Sequence, residues 1–185
     1  VMKLDSLVSS ALGCDRIIHL AAVYKTIAET PEEIVEPAVI GSKNIFEAAK
    51  QAGIKRVVYT SSVASIGFSD NPNQMRNGDD WNDDAQNPYY IAKTQSEKVA
   101  QQLSRDYDIE LIVLCPALVL GAYDYRITPS NQLVMDWLNG VGQTYRGGLN
   151  LVDVRDVAAA HVAALEKGEN RKRYVLGGDN MMVKD

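Results

Sequence analysis

The chain has 185 residues, 46% of them apolar, and its 19 basic and 24 acidic side chains leave a formal charge of −5. That length suits one domain with a real core. The apolar content is too high and the charge too low for a disordered chain, and no unbroken apolar run approaches the roughly 18 residues of a membrane span. An acidic chain lacks the basic face of a nucleic-acid binder, and two cysteines, Cys14 and Cys115, cannot build a disulfide framework, so a reduced, cytoplasmic setting is expected.

A helix-like stretch at 3–12 leads into a first apolar run, 16–20. Thr30-Pro31-Glu32-Glu33 offers an N-cap Thr, a Pro at the first helical position and a Glu three residues after the Thr, which predicts a helix over 31–51 that stops at Gly53. A second apolar run, 56–60, precedes a polar, turn-rich loop over 67–87 that contains Asp70, Asn71, Pro72, Asn77, Gly78, Asp79 and Asp80. Such a loop is longer than structural connections usually are, and it reads as a functional, mobile segment that closes over a substrate. Asn87-Pro88 opens a helix, 110–115 is a third apolar run, Thr128-Pro129 opens another helix, 153–167 forms one more ended by Gly168, and 173–176 is the last apolar run. The runs are apolar throughout instead of alternating, as strands are when helices cover both faces of a parallel sheet. The fold class is therefore α/β, a doubly wound parallel sheet.

The run 56–60 leads into Ser61 and Ser62, and the next helix opens with Tyr89, Tyr90, Ile91, Ala92 and Lys93. Tyr89 and Lys93 are spaced to share a helix face. An ammonium there favours the phenolate of Tyr89, as a general acid or base requires, and a serine hydroxyl at the carboxyl end of a neighbouring strand can hold a substrate oxygen beside it. On spacing alone, a Tyr and Lys pair is more often solvated surface, and Ser-Ser after a strand is more often a turn.

More residues bear on the choice. His19-Leu20-Ala21-Ala22, Gly41-Ser42-Lys43-Asn44, Val57-Val58-Tyr59-Thr60-Ser61-Ser62, Tyr89-x-x-x-Lys93, Cys115-Pro116-Ala117-Leu118-Val119-Leu120-Gly121 and Leu151-Val152-Asp153-Val154-Arg155-Asp156-Val157-Ala158 occur in this order. Together they resemble the extended short-chain dehydrogenases, the NAD-dependent epimerase/dehydratase family. Glu36-Pro37, Tyr125-Arg126-Ile127-Thr128-Pro129-Ser130 and Gly148-Leu149-Asn150-Leu151-Val152-Asp153 are most similar to its dihydroflavonol 4-reductase-like and hopanoid-associated sugar epimerase branch.

The resemblance implies a Rossmann-like sheet and an NAD(P)-dependent oxidoreductase that moves hydride to or from a carbonyl or carbinol carbon, with NAD and NADP not distinguished. It implies that Ser62 orients the substrate, Tyr89 is the acid/base, and Lys93 binds the nicotinamide ribose and tunes the tyrosine. It places Leu20, Ala21, Ala22, Thr60 and Ser61 along the dinucleotide, and Pro116, Ala117, Leu118 and Val119 in the loop beside the nicotinamide. The Gly-rich phosphate loop of such folds is absent from these residues. The family has about two further βα units before this point, roughly 60 residues. The chain therefore reads as a single partial nucleotide-binding domain over 1–185, lacking its N-terminal βα units and C-terminal end, with part of the substrate region from about 118 onward.

An NDP-sugar epimerase or dehydratase is the alternative within the family, and a catalytically silent dinucleotide-binding or scaffold relative is the alternative of another class. No metal is expected, because His19 and His161 stand without Cys or carboxylate at ligand spacing. Trp81, Trp137 and Tyr145 suit either a substrate cavity or packing. A small carbonyl compound or nucleotide sugar is the expected partner. A homodimer is expected as well, because the family pairs the two corresponding helices across a two-fold axis, and Ile34, Val35, Ala38, Ile45, Ala48 and Ala49 exceed one core-facing stripe.

Overall fold

The computed structural model describes residues 1–22, 29–71, 73–141 and 147–183. Pro72 and Tyr145 lie outside the described residues. In chain order the elements are α1 (Leu4–Ala11), β1 (Ile17–His19), α2 (Glu32–Ala52), β2 (Arg56–Thr60), a 3₁₀ turn (Val63–Ser65), α3 (Pro88–Asp106), β3 (Glu110–Pro116), β4 (Leu118–Leu120), α4 (Pro129–Leu138), β5 (Gly147–Asp153), α5 (Val154–Lys167), β6 (Arg173–Leu176) and β7 (Asn180–Val183).

Strands β1, β2, β3 and β6 form a parallel sheet in that order, with Val57 paired to Ile17 and to Leu111, and Val113 to Arg173. Successive strand residues point to opposite faces, and each face has its own apolar layer. Val57, Tyr59, Leu111, Val113 and Cys115 pack with Ile45, Phe46, Ala49 and Ala100 of α2 and α3. Val58, Ile112 and Leu114 pack with Ala164 of α5. This is the doubly wound arrangement expected from the uniformly apolar runs.

The helix ends show which local signals acted. Asn87 Oδ1 accepts from Tyr89 N at 2.9 Å, with Pro88 in the first turn, and Asp153 Oδ1 accepts from Arg155 N at 2.7 Å. Gly53 ends α2 in the left-handed conformation, φ 74°. The box expected at Thr30 is not what starts α2. The cap position falls on Pro31, whose backbone is already helical (φ −56°, ψ −35°) and which offers no side-chain acceptor. Gly168 ends α5 for a different reason from Gly53. Its φ is −63°, and a Cβ there would sit 2.7 Å from the Ala164 carbonyl oxygen and from Ile112.

Three strands were not anticipated. β4 pairs in parallel with β5, and β5 pairs antiparallel with β7. Leu118 and Val119, expected in a loop, therefore lie in β4, and the stretch after β6 continues into β7. Most of the surplus apolar face assigned to α2 is covered within the chain: Ile34, Ile45, Ala48 and Ala49 are buried. Among the described residues no helix is long and apolar enough to cross a membrane, and no group of His, Cys, Asp and Glu is placed to hold a metal ion.

Candidate active site

The parallel order brings the carboxyl ends of β1 and β2 side by side, at His19 and Thr60. Open α/β sheets bind ligands beyond such strand ends. A small, shallow cleft, open to solvent, lies here. Ala21 and Ala22 after β1, Ala38 of α2 and Ala92 of α3 line it with small side chains. Tyr89 and Lys93, on one face of α3, supply its polar wall together with Thr60 and Ser96.

Thr60 is held on both sides. Its hydroxyl lies 2.7 Å from His161 Nε2, while His161 Nδ1 lies 2.7 Å from the Val157 carbonyl oxygen. A carbonyl only accepts, so Nδ1 carries the proton and Nε2 accepts from Thr60. The Thr60 carbonyl in turn accepts from Lys93 Nζ at 3.2 Å. Lys93 is only 8% exposed, and burial lowers its pKa from 10.5 to about 8, against the opposing influence of Cys115 and Glu97. Its ammonium stands 6.0 Å from the centre of the Tyr89 ring. His19 is buried beside Tyr59, ring centres 5.2 Å apart, and burial, followed by the Lys93 charge, lowers its pKa to about 4. It is therefore neutral at pH 7, which suits a wall of the cleft and not a general base near neutrality.

Tyr89, Lys93, Thr60, Ala21 and Ala22 thus meet around one cleft, whereas the remaining sequence candidates are not among the residues that line it. Ser62 is extended (φ −165°, ψ 158°) and caps the 3₁₀ turn, its Oγ accepting from Ala64 N at 3.1 Å. The Ser61 hydroxyl points inward and donates to Glu97 Oε2 at 2.5 Å. Leu20 is largely exposed, Pro116 ends β3, and Ala117 N donates to the Leu176 carbonyl at 2.9 Å. Sequence reasoning missed Tyr59, Ala92 and Ser96 as wall residues and assigned Ala38 to a subunit interface. The available signal was the spacing of Tyr89, Ala92, Lys93 and Ser96, which is one helical stripe.

The loop 67–87 is not free along its length. Arg173 donates to the carbonyls of Gly78, at 2.9 Å, and of Asp80, and its guanidinium stacks on Trp81 at 3.9 Å. Asn82 N donates to the Ser65 carbonyl and Asn82 Nδ2 to that of Ala64, both at 2.9 Å, and Lys98 pairs with Asp83. Phe68 and Met75, by contrast, are 68% and 74% exposed. The sequence suggests a lid over the whole loop, but the second half is bolted to the sheet, because a buried arginine collects its carbonyls.

The model of the NAD dependent epimerase/dehydratase family matches residues 2–177. Cinnamoyl-CoA reductase 1 of Petunia hybrida is 32% identical over 184 residues, covering 95% of this chain and 54% of that protein. Anthocyanidin reductase of Arabidopsis thaliana is 30% identical over 201 residues, covering 97% of this chain and 59% of that protein. The crystal structure of yeast methylglyoxal/isovaleraldehyde reductase complexed with NADPH superposes with a TM-score of 0.86 at 23% identity, over 98% of this chain and 62% of its own, a likeness of fold. The chain spans about half the length of the curated relatives it matches.

Proposed function

The chain belongs to the NAD-dependent epimerase/dehydratase family, and we propose that it carries the active-site part of a nicotinamide-dependent, dihydroflavonol-reductase-like carbonyl reductase. The observation that supports this most is the face of α3 that presents Tyr89 and Lys93 to one cleft while Lys93 is tied to the end of β2.

The residues present fit the nicotinamide-ribose half of NAD or NADP. The small side chains of Ala21, Ala22, Ala38 and Ala92 leave room at the strand ends, and Lys93 gives Thr60 one of its three donors and keeps others for ribose hydroxyls. When bound, the nicotinamide would supply or accept hydride. Tyr89 Oη would give a proton to the oxygen of the reacting carbonyl, or take it from a carbinol, with the Lys93 ammonium favouring the phenolate. Ser62 Oγ accepts from Ala64, so its own proton is left to donate to the substrate oxygen.

We further place the substrate side in the region from about 118 to 185, which carries β4, α4, β5 and β7, and a homodimer across α2 and α3. For the latter, Val35, Val39, Ile91 and Val99 keep part of their apolar surface exposed. The curated relatives above are reductases by name, which favours reduction over sugar epimerisation. Screening the protein at its natural length for NADH and NADPH consumption with aldehydes and ketones, beside NDP-sugar isomerisation followed by NMR, tests the reading. Consumption with a carbonyl compound supports it, and isomerisation without net consumption overturns it in favour of the epimerase.

A further inference from the structure

Beneath the cleft lies a carboxylate that the proposed chemistry does not use. Glu97 is wholly buried, one helical turn beyond Lys93. Its Oε2 accepts from Ser61 Oγ at 2.5 Å and lies 2.7 Å from Ser65 Oγ, and its Oε1 accepts from Arg173 Nε at 2.5 Å. Arg173, 6% exposed, also reaches Ser65 Oγ, Gly78 O and Asp80 O, so its donors are all engaged. A charge buried so completely must be paired and fully hydrogen-bonded, and here it is.

The placement of these bonds is informative. Ser61 and Ser65 bracket the 3₁₀ turn that Ser62 begins; Ser65 N donates to the Ser62 carbonyl at 3.0 Å, and the single Ser65 hydroxyl proton has that carbonyl, at 2.8 Å, and Glu97 Oε2, at 2.7 Å, as alternative acceptors. Both hydroxyls that grip Glu97 therefore belong to the turn that aims Ser62. The same carboxylate is one turn from Lys93 on the same helix. The other titratable groups facing Lys93 are Tyr89 of α3, His19 of β1, Tyr59 of β2 and Cys115 of β3; His19 is neutral and burial raises the Cys115 thiol to about 12. Glu97, ion-paired with Arg173, is the carboxylate of this group.

We propose that Glu97 is a positioning residue of the site: through Ser61 and Ser65 it fixes the turn that presents Ser62, and from one helical turn away on α3 its charge acts on the Lys93 ammonium. The inference deepens the reductase reading and rests on it for the roles of Ser62 and Lys93. A purely structural ion pair would support folding without controlling either group.

The test uses Glu97→Gln, which keeps size and one acceptor but removes the charge. In ¹³C-labelled protein, the Lys93 Cε shift is followed against pH, and hydrogen exchange is read over residues 61–66. The expected result is a Lys93 titration below its parent value near 8, and exchange over 61–66 faster by about tenfold or more. Where the lone Arg173 charge prevents folding, Glu97→Gln with Arg173→Met removes the pair together and carries the exchange reading over 61–66. A folded variant with Lys93 titrating as in the parent and 61–66 equally protected overturns the proposal. NADPH binding by fluorescence is measured alongside. A parent protein of natural length that fails to bind NADPH counts against the reductase reading, while the two other readings still decide the role of Glu97.

Discussion

Lys93 Nζ donates to the carbonyl oxygen of Thr60 at 3.2 Å, so the last residue of β2 and the opening turns of α3 are joined at the floor of the cleft. The bond sets where the ammonium stands, and burial sets what it costs.

Burial holds the Lys93 pKa at about 8, below 10.5. The unfolded chain binds this proton more tightly than the folded one, so between about pH 8 and 10.5 the group makes stability rise as pH rises. Lys93→Met should remove that rise. At pH 7 it should leave the protein no less stable, with a gain of at most about 3 kcal/mol, while NADPH affinity falls. Urea unfolding of parent and variant at pH 7, 9 and 10.5 checks this; a variant that keeps the parent's pH slope contradicts it.

His161 accepts from the Thr60 hydroxyl and donates to Val157 O, and it is buried at 5% exposure. His161→Ala leaves that hydroxyl unpaired and a cavity beneath α5. The expected loss of stability is about 2–4 kcal/mol, larger than that of Thr60→Val, which removes a donor but keeps the shape. Denaturant midpoints of the two variants rank the effects.

Gly78 has no unusual φ, yet a Cβ there would lie 2.4 Å from the Arg173 carbonyl oxygen, which is backbone and cannot swing aside. Gly78→Ala should push the pinned half of the loop off the sheet edge and cost about 1–3 kcal/mol. Limited proteolysis should then cut within 77–83, a segment left intact in the parent.

The same anchoring divides the loop in exchange experiments. Amides over 68–71 and 73–76 should exchange at rates near those of exposed turns, while Asn82 N, bonded to Ser65 O, and its neighbours should be protected. Uniform exchange across 67–87 would restore the whole-loop lid.

The parts legible in sequence are those whose signals are local. β2 and β3 are unbroken apolar runs, and Asn87-Pro88 and Gly53 act within one turn of the helix ends they set. β5 was hidden because Gly147, Gly148 and Asn150 dilute its apolar pattern, and its partner β7 lies some thirty residues away. Tyr89 and Lys93 were legible because a helix puts fixed spacings on one face. Glu97 was not, because a charged residue reads as surface until its partner, Arg173, is brought from a distant strand. Sequence alone points Ala38 to an interface for a similar reason: only the fold shows that α2 turns it toward the cleft.

The proposed chemistry stands on the phenol of Tyr89, and Tyr89→Phe in the protein at its natural length tests it most directly. Turnover of the best carbonyl substrate is measured beside NADPH binding by fluorescence. Removing a single proton-transfer group typically costs about 10²–10⁴-fold, so the account predicts a loss of that order in turnover with NADPH affinity nearly unchanged. Turnover within a few-fold of the parent would contradict it.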